Sequence, residues 1–582
     1  MREPIGGRWL TWDQPVAVLS TRDPADVPRI LGEIRRRVDA DRLHAAGYVS
    51  YEAAAGFDPA LTTHAPGALP VCCFGLFHDP AVASALQRPG PSRPPDDRWS
   101  PATSRQRYVA AIAAIKEQIA LGNTYQINYT TRLIADAIGD PWELFQRMAW
   151  SAPYSAYLEF DDFAIVSASP ELFFSLDGGR LLCRPMKGTA ARGMTAADDR
   201  AIAATLAASA KNRAENVMIT DMIRNDMGRV AQAGSVRAGP LFSLEKYPTV
   251  WQMTSTVTAT TRASLPEVFA ALFPCASVTG APKASSMAII ASLEESPREV
   301  YTGAIGHVSP GGQATFSVAI RTAWIDRRSG RGIYGVGGGI VWDSNAEDEH
   351  AECVTKARVL SSVAEDADFE LLETLLWADG AYFLLDYHLD RLGESAGYFD
   401  FAFDRSEVGA LLGELGTRLG DGRYRVRLLC ARDGTCRTMQ TELPPAATAL
   451  PRRVALAPAP VDRNDPFLYH KTTRRTVYER ALTAAGDCDD VLLWNTDGCI
   501  TESASANVVV TLGGQRYTPP LSSGLLAGTY RRRLLETGDV HEREIRVDEL
   551  ASADSVMLVN SVRGEMPVLL LPADDRARAR TY

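Results

Sequence analysis

An acidic break organises this chain. Residues 364–368 read "AEDAD", three carboxylates and two alanines with nothing large to bury, which is linker chemistry. Before it, a helical pattern runs from about Ala346 to Val363. After it, "FELLETLLWADGAYFLLDYHLDRL" starts a fresh α/β pattern. A chain of 582 residues is too long for one core. The expectation is therefore two α+β units, 1–362 and 369–582, with 363–368 between them.

Bulk chemistry narrows the partners. Net charge is −10, and no Lys/Arg run looks like a nucleic-acid footprint. No apolar stretch of roughly 18 residues suits a membrane span, and no signal segment opens the chain. Nine cysteines without a CxxC suggest reduced thiols and a cytoplasmic setting.

Within the first unit, residues 84–103, rich in proline, read as a surface loop. "SRQRYVAAIAAIKEQIALGN" reads as a helix, with Ile112, Ile115 and Ile119 on one face. "TYQINYT" alternates as a strand, and residues 212–229 read as another helix. Strands are expected at 301–308, 315–322 and 332–341.

Three segments carry chemistry. In "CRPMKGTAARG" (183–193), Pro185 and Gly188 fix the backbone around Lys187. Burial or a nearby cation would free its lone pair as a nucleophile, but the motif alone fits an exposed turn lysine equally well. In "VWDSNAEDEHAECVTKARVL", Glu349 and Glu352 share a helix face. Two carboxylates suit Mg²⁺, or Glu352 simply pairs with Lys356 on a solvated face. In "FPCASVTGAPKAS", Thr279 and Gly280 turn the chain before a helix, where amides and Lys283 suit a carboxylate or merely start an ordinary helix. "GVGGG" at 335–339 is no dinucleotide fingerprint, because the third glycine is missing and a strand follows.

Together "GNTYQINYT", "SASPELFF", "RPMKGT", "AKNRAENVMITDMIRNDMGR", "SVTGAPK", "YTGAIGHVS", "FSVAIRT" and "GGGIVWDSNAEDEHAE" resemble the chorismate-utilising enzymes over about 104–362. The resemblance implies a two-sheet α/β sandwich and a Mg²⁺ cofactor. It implies Glu171 as general acid/base and Glu294, Glu349 and Glu352 around the metal. Thr279, Gly280, Lys283, Arg321 and Gly338 would contact substrate. Lysine in "PMKGT" matches the aminodeoxychorismate synthases, whereas anthranilate and salicylate synthases usually carry alanine there. Lys187 would add to C2 of chorismate as the C4 hydroxyl leaves, and ammonia would then displace it at C4. Gln126 replaces the lysine base of water-adding relatives. Cys275-Ala276 for a Gly-Gly pair, Gln252 for a histidine and Ala291 for an acidic residue depart from the pattern. No GxCxG elbow is present, so ammonia is expected from a separate glutamine amidotransferase subunit.

"FLYHKTTRRTVYERA" and "DVLLWNTDGCITESASANVVV" resemble the fold-type IV pyridoxal-phosphate enzymes over about 369–568. By itself Lys471 reads as a solvated lysine. The resemblance makes it the Schiff-base lysine, with Glu502 on the pyridinium nitrogen and Arg391 on the phosphate. Amides around Leu526, Ala527, Gly528 and Thr529 would also hold phosphate, and Asn507 and Thr501 would support the site. The implied reaction sequence is amination of chorismate followed by loss of pyruvate, giving 4-aminobenzoate, a folate precursor. Alternatives are a second unit acting on another amino acid, an inactive scaffold for docking a glutaminase, or anthranilate synthesis by the first unit.

Overall fold

The computed structural model describes residues 1–2, 7–83, 98–149, 152–360, 369–444 and 451–572. The proposed linker, 363–368, and most of the expected proline-rich loop lie outside them. Two compact units emerge. One comprises Met1–Ala191 with Ala203–Glu365, the other Arg192–Ile202 with Asp366–Tyr582. The second thus takes an eleven-residue segment from early in the chain, which the single boundary expected from sequence did not include.

The first unit is built on two large sheets. A nine-stranded sheet runs Arg237–Ala238, Val257–Thr260, Arg180–Arg184, Leu172–Asp177, Gln313–Val318, Ala304–Ser309, His44–Val49, Cys72–Phe77, Ala17–Thr21. The second large sheet, of seven strands, centres on Gln126–Ala135 paired antiparallel to Gly332–Ile340. Tyr48 and Ile305 of the first sheet share a buried cluster with Leu158 and Ile165 of the second, so apolar side chains join the two faces. Helices Val27–Ala40 and Leu265–Leu272 cover the first sheet, with Phe269 edge-on to Phe174 and Phe316. Helix Arg105–Ala120 forms where expected. Ser104 caps it by accepting from Arg107 N, and Ile112 and Ile115 are buried.

The run expected as one strand at 315–322 is two. Gln313–Val318 belongs to the nine-stranded sheet and Thr322–Asp326 to the seven-stranded one. The crossing occurs at Ala319–Arg321, where Arg321 takes φ 49°, uncommon outside glycine. The run "TFSVAIRT" at 315–322 contains no glycine or proline to signal a change of sheet.

The second unit holds a four-stranded antiparallel sheet around Leu371–Ala378 and Tyr424–Cys430, and an eight-stranded mixed sheet around Asp490–Trp494 and Asn507–Leu512. Its segment Arg192–Ile202 carries a buried Arg192–Asp199 ion pair at 2.6 Å, with Arg192 stacked over Tyr398. Seven cysteines are free thiols as expected. Cys430 and Cys436, facing each other across neighbouring strands, form a disulfide, contrary to the expectation of reduced thiols throughout.

Candidate active sites

In the first unit, Lys187 stands on strand Met186–Ala191, beside Val250–Thr254. The pairing slips between Met186 and Thr189, and Gly188 takes φ +102° at the slip. This bulge re-aims the lysine. A Cβ at Gly339 would lie 2.6 Å from Lys187 Nζ and 2.5 Å from Gln126 Nε2, so the central strand's missing side chain makes room for both. Likewise, a Cβ at Gly338 would lie 3.1 Å from Glu349 Oε2. The glycine run is thus a floor. Burial lowers the Lys187 pKa below the ordinary lysine value; Glu215, with Oε2 3.8 Å from Nζ, opposes that shift and Lys356 assists it.

Glu171 is buried, and burial pushes its carboxyl up to about 7. Ser277 Oγ donates to it at 2.7 Å, and Lys187 also acts on it. Gln126 is buried with Oε1 lacking a hydrogen-bond partner among the described residues, which is costly unless a ligand supplies a donor. Arg321 is half-buried, and no hydrogen bond or ion pair among the described residues holds its guanidinium.

Glu349 and Glu352 share the helix Ala346–Ala357 as expected. Burial raises the Glu349 pKa, Ser344 Oγ donating at 2.7 Å opposes this, and the Glu352 charge adds to it. Burial also works against the Glu352 charge, but Lys356, 2.7 Å away, outweighs it and holds that carboxyl below its usual range. An oxygen-only pair strained by mutual repulsion fits Mg²⁺, which accepts one or two carboxylates and completes its shell with water and substrate oxygens. Among the described residues no group of three acidic, His or Cys side chains is arranged to hold a metal.

Glu294 does not join that pair. Its carboxylate accepts from Arg298 Nε (3.0 Å) and Nη2 (2.6 Å) and from Thr130 N and Oγ1 (2.9 Å each), a closed buried network. The carboxylate that does reach Lys187 is Glu215, in the quoted "AKNRAENV" stretch, which sequence reading left without a role. Its neighbour Asn216 donates to the Lys187 carbonyl at 3.1 Å. A signal existed: Lys211, Glu215 and Asn216 cluster at the start of a segment read only as a helix. Thr279 Oγ1 donates to Cys275 O and Ala276 O, and Lys283 Nζ is held by Asp226 at 2.9 Å, so both serve first to fix the turn before helix Lys283–Leu293. Gly280 pairs with Ile127, where any Cβ would strike Gln126 O at 2.2 Å.

In the second unit Lys471 lies between the short turn Pro466–Leu468 and helix Thr476–Ala485, half-buried. Burial, aided by Arg391, lowers its pKa to about 8. Glu502 is buried, and burial raises it to about 7; it accepts from Tyr478 OH (2.8 Å) and Asn507 Nδ2 (3.1 Å). Thr501 Oγ1 is buried without a partner among the described residues. Gly528 caps helix Thr529–Glu536, and a Cβ there would sit 1.7 Å from Asn507 Oδ1. Arg391 is doubly bonded to Glu373 (2.8 and 2.7 Å) and donates to Ala527 O at 3.0 Å, reaching the expected phosphate loop with its fork already partly engaged. An amine of lowered pKa, a buried carboxylate, an orphan hydroxyl and a helix N-terminus fit pyridoxal phosphate.

One unit thus gathers Lys187, Glu171, Gln126 and Glu215 about a glycine strand, and the other gathers Lys471, Glu502 and Arg391 near a helix N-terminus. Residues 3–362 match the chorismate binding enzyme family, and the chain belongs to that family. Residues 370–571 match the class IV amino-transferase family. The chain is 40% identical over 274 residues, 46% of its length, to aminodeoxychorismate synthase component 1 of Escherichia coli, of which 59% is covered. It is 42% identical over 268 residues, 45% of its length, to an aminodeoxychorismate synthase of Streptomyces griseus, of which 37% is covered. The chain therefore spans well under two thirds of these curated relatives. Anthranilate synthase component I from Streptococcus pneumoniae shares the fold, with a TM-score of 0.53 at 22% identity over 61% of this chain and 92% of that one. No described helix is long and apolar enough to cross a membrane.

Proposed function

We propose that the first unit aminates chorismate at C4 through a covalent bond to Lys187, and that the second unit removes pyruvate from the product to give 4-aminobenzoate. What carries the reading is Lys187: an amine of lowered pKa, beside a buried acid, seated against a glycine floor. Aminodeoxychorismate synthase relatives at about 40% identity support it.

In this scheme the Lys187 nitrogen bonds to ring carbon C2. The C4–O bond breaks, the ring double bonds shift, and protonated Glu171 supplies the proton that lets the hydroxyl leave as water. Ammonia then bonds to C4, the C2–nitrogen bond breaks, and the lysine departs after gaining a proton. Two displacements place nitrogen on the face the hydroxyl occupied. Gln126 Oε1, otherwise unpartnered, would accept a hydrogen bond from incoming ammonia, and Arg321 would take a substrate carboxylate. Glu349 and Glu352 would hold Mg²⁺, which supplies charge stabilisation to a carboxylate. Ammonia would come from a separate glutamine amidotransferase subunit.

In the second unit Lys471 would hold pyridoxal phosphate, which supplies an electron sink. Glu502 would keep the pyridine nitrogen protonated, and the Lys471 amine would take the C4 proton. The class IV amino-transferase match also favours a second reading, amino-group transfer to another acceptor. Incubating the chain with chorismate, ammonia, Mg²⁺ and pyridoxal phosphate separates them. 4-Aminobenzoate with pyruvate supports elimination; 4-amino-4-deoxychorismate alone supports the transfer reading; 2-aminobenzoate refutes the first unit's assignment.

A further inference from the structure

We propose that His388 is a positioning residue in the second unit that takes up a proton when phosphate binds, freeing the Thr529 hydroxyl to donate to the phosphate. The inference rests on the reading of this unit as a pyridoxal-phosphate site.

The geometry forces a choice. His388 is fully buried on helix Leu385–Phe399. Its Nδ1 lies 2.7 Å from Glu373 Oε2, and Glu373 is held far below the usual carboxylate range: burial opposes the charge, but Arg391 and His388 outweigh it. An ionised carboxylate only accepts, so Nδ1 carries a hydrogen. In neutral imidazole Nε2 then has a lone pair, and it faces Thr529 Oγ1 at 3.3 Å. The single Thr529 hydroxyl proton is therefore spent on His388.

Thr529 is the first residue of helix Thr529–Glu536, behind Gly528, where first-turn amides have no partner within the helix and would suit an anion. A phosphate arriving there competes for the same hydroxyl proton. If the hydroxyl turns away, Nε2 is left as an unpaired acceptor against an oxygen lone pair in a buried place. A solvent proton on Nε2 resolves the conflict: Nε2–H donates to Oγ1, and Oγ1–H donates to phosphate. No covalent bond changes apart from that protonation.

Charge follows the same logic. The charged groups facing His388 are Glu373 from strand Leu371–Ala378, Arg391 from its own helix and Lys471 from the connector. Without phosphate, one carboxylate stands against two cations, which together with burial disfavours imidazolium. A phosphate dianion reverses that balance.

The test uses apo full-length chain and inorganic phosphate. Calorimetry in two buffers of different ionisation enthalpy counts protons, and histidine NMR reports the His388 ring. Wild type should take up about one proton more per phosphate than Thr529→Val, with His388 turning to imidazolium on binding; Thr529→Ser, which keeps the hydroxyl, should behave as wild type. Phosphate binding with an unchanged neutral His388 and no difference between wild type and Thr529→Val overturns the inference alone. If neither phosphate nor pyridoxal phosphate binds, the cofactor reading falls and takes the inference with it.

Discussion

At the scale of residues, the proposed scheme uses amines and an acid that burial moves from their ordinary proton affinities. Replacing Lys187 with alanine should lower formation of 4-amino-4-deoxychorismate from ammonia by about 10³-fold or more, read by product analysis. An unchanged rate would remove its role as nucleophile. In the proposed scheme Glu171 acts as an acid and must be protonated, and burial raises its carboxyl to about 7. The first unit's kcat/KM should therefore fall as pH rises through that value, and Glu171→Gln should remove this limb while lowering the rate by about 10²–10⁴-fold. On the acid side, protonation of Lys187 should lower the rate again. Glu294 offers the contrast. Breaking its buried pair with Arg298 by Glu294→Gln should cost about 3–5 kcal/mol in a denaturant melt and leave the Mg²⁺ requirement of the folded fraction unchanged. Glu349→Gln or Glu352→Gln should raise that requirement roughly 10–100-fold with little change in stability.

At the scale of elements, the strand Gly332–Ile340 sets the floor of the first pocket. Gly339→Ala should leave the fold intact yet displace Lys187 or Gln126 and reduce turnover roughly 10²-fold, measured beside a circular-dichroism melt. Wild-type turnover would show that the close approach does not matter. Sequence reading reached this element because its neighbours carry strong local signals: alternation in "TYQINYT", isoleucines on one face of the helix after Ser104, paired glutamates at helical spacing. It failed where the controlling fact is long-range. The break at Ala319–Arg321 depends on which sheet each half joins. The diversion of Glu294 depends on Arg298 and Thr130, the latter on a strand more than 160 residues away in sequence. Glu215 was passed over because its segment was read only as a helix, and only the fold shows that its N-terminal turns lie against the Lys187 strand. The disulfide depends likewise on the pairing of two strands, which a count of cysteines does not contain.

At the scale of the whole chain, matches to two families occur in one polypeptide, and in the proposed scheme the product of the first unit would be an amine suited to the second. In that scheme, joining them would keep the second enzyme at high local concentration around the intermediate. Lys471→Ala should let 4-amino-4-deoxychorismate accumulate with no 4-aminobenzoate, while the first unit's rate stays near wild type. Everything in this scheme depends on covalent attachment of chorismate to Lys187. The direct measurement is mass spectrometry of wild-type protein quenched during turnover with chorismate before ammonia is added, followed by peptide mapping. The account predicts added ring mass on the peptide containing Lys187 and, on addition of ammonia, nitrogen para to the ring carboxylate. An unmodified peptide with nitrogen delivered ortho would contradict it.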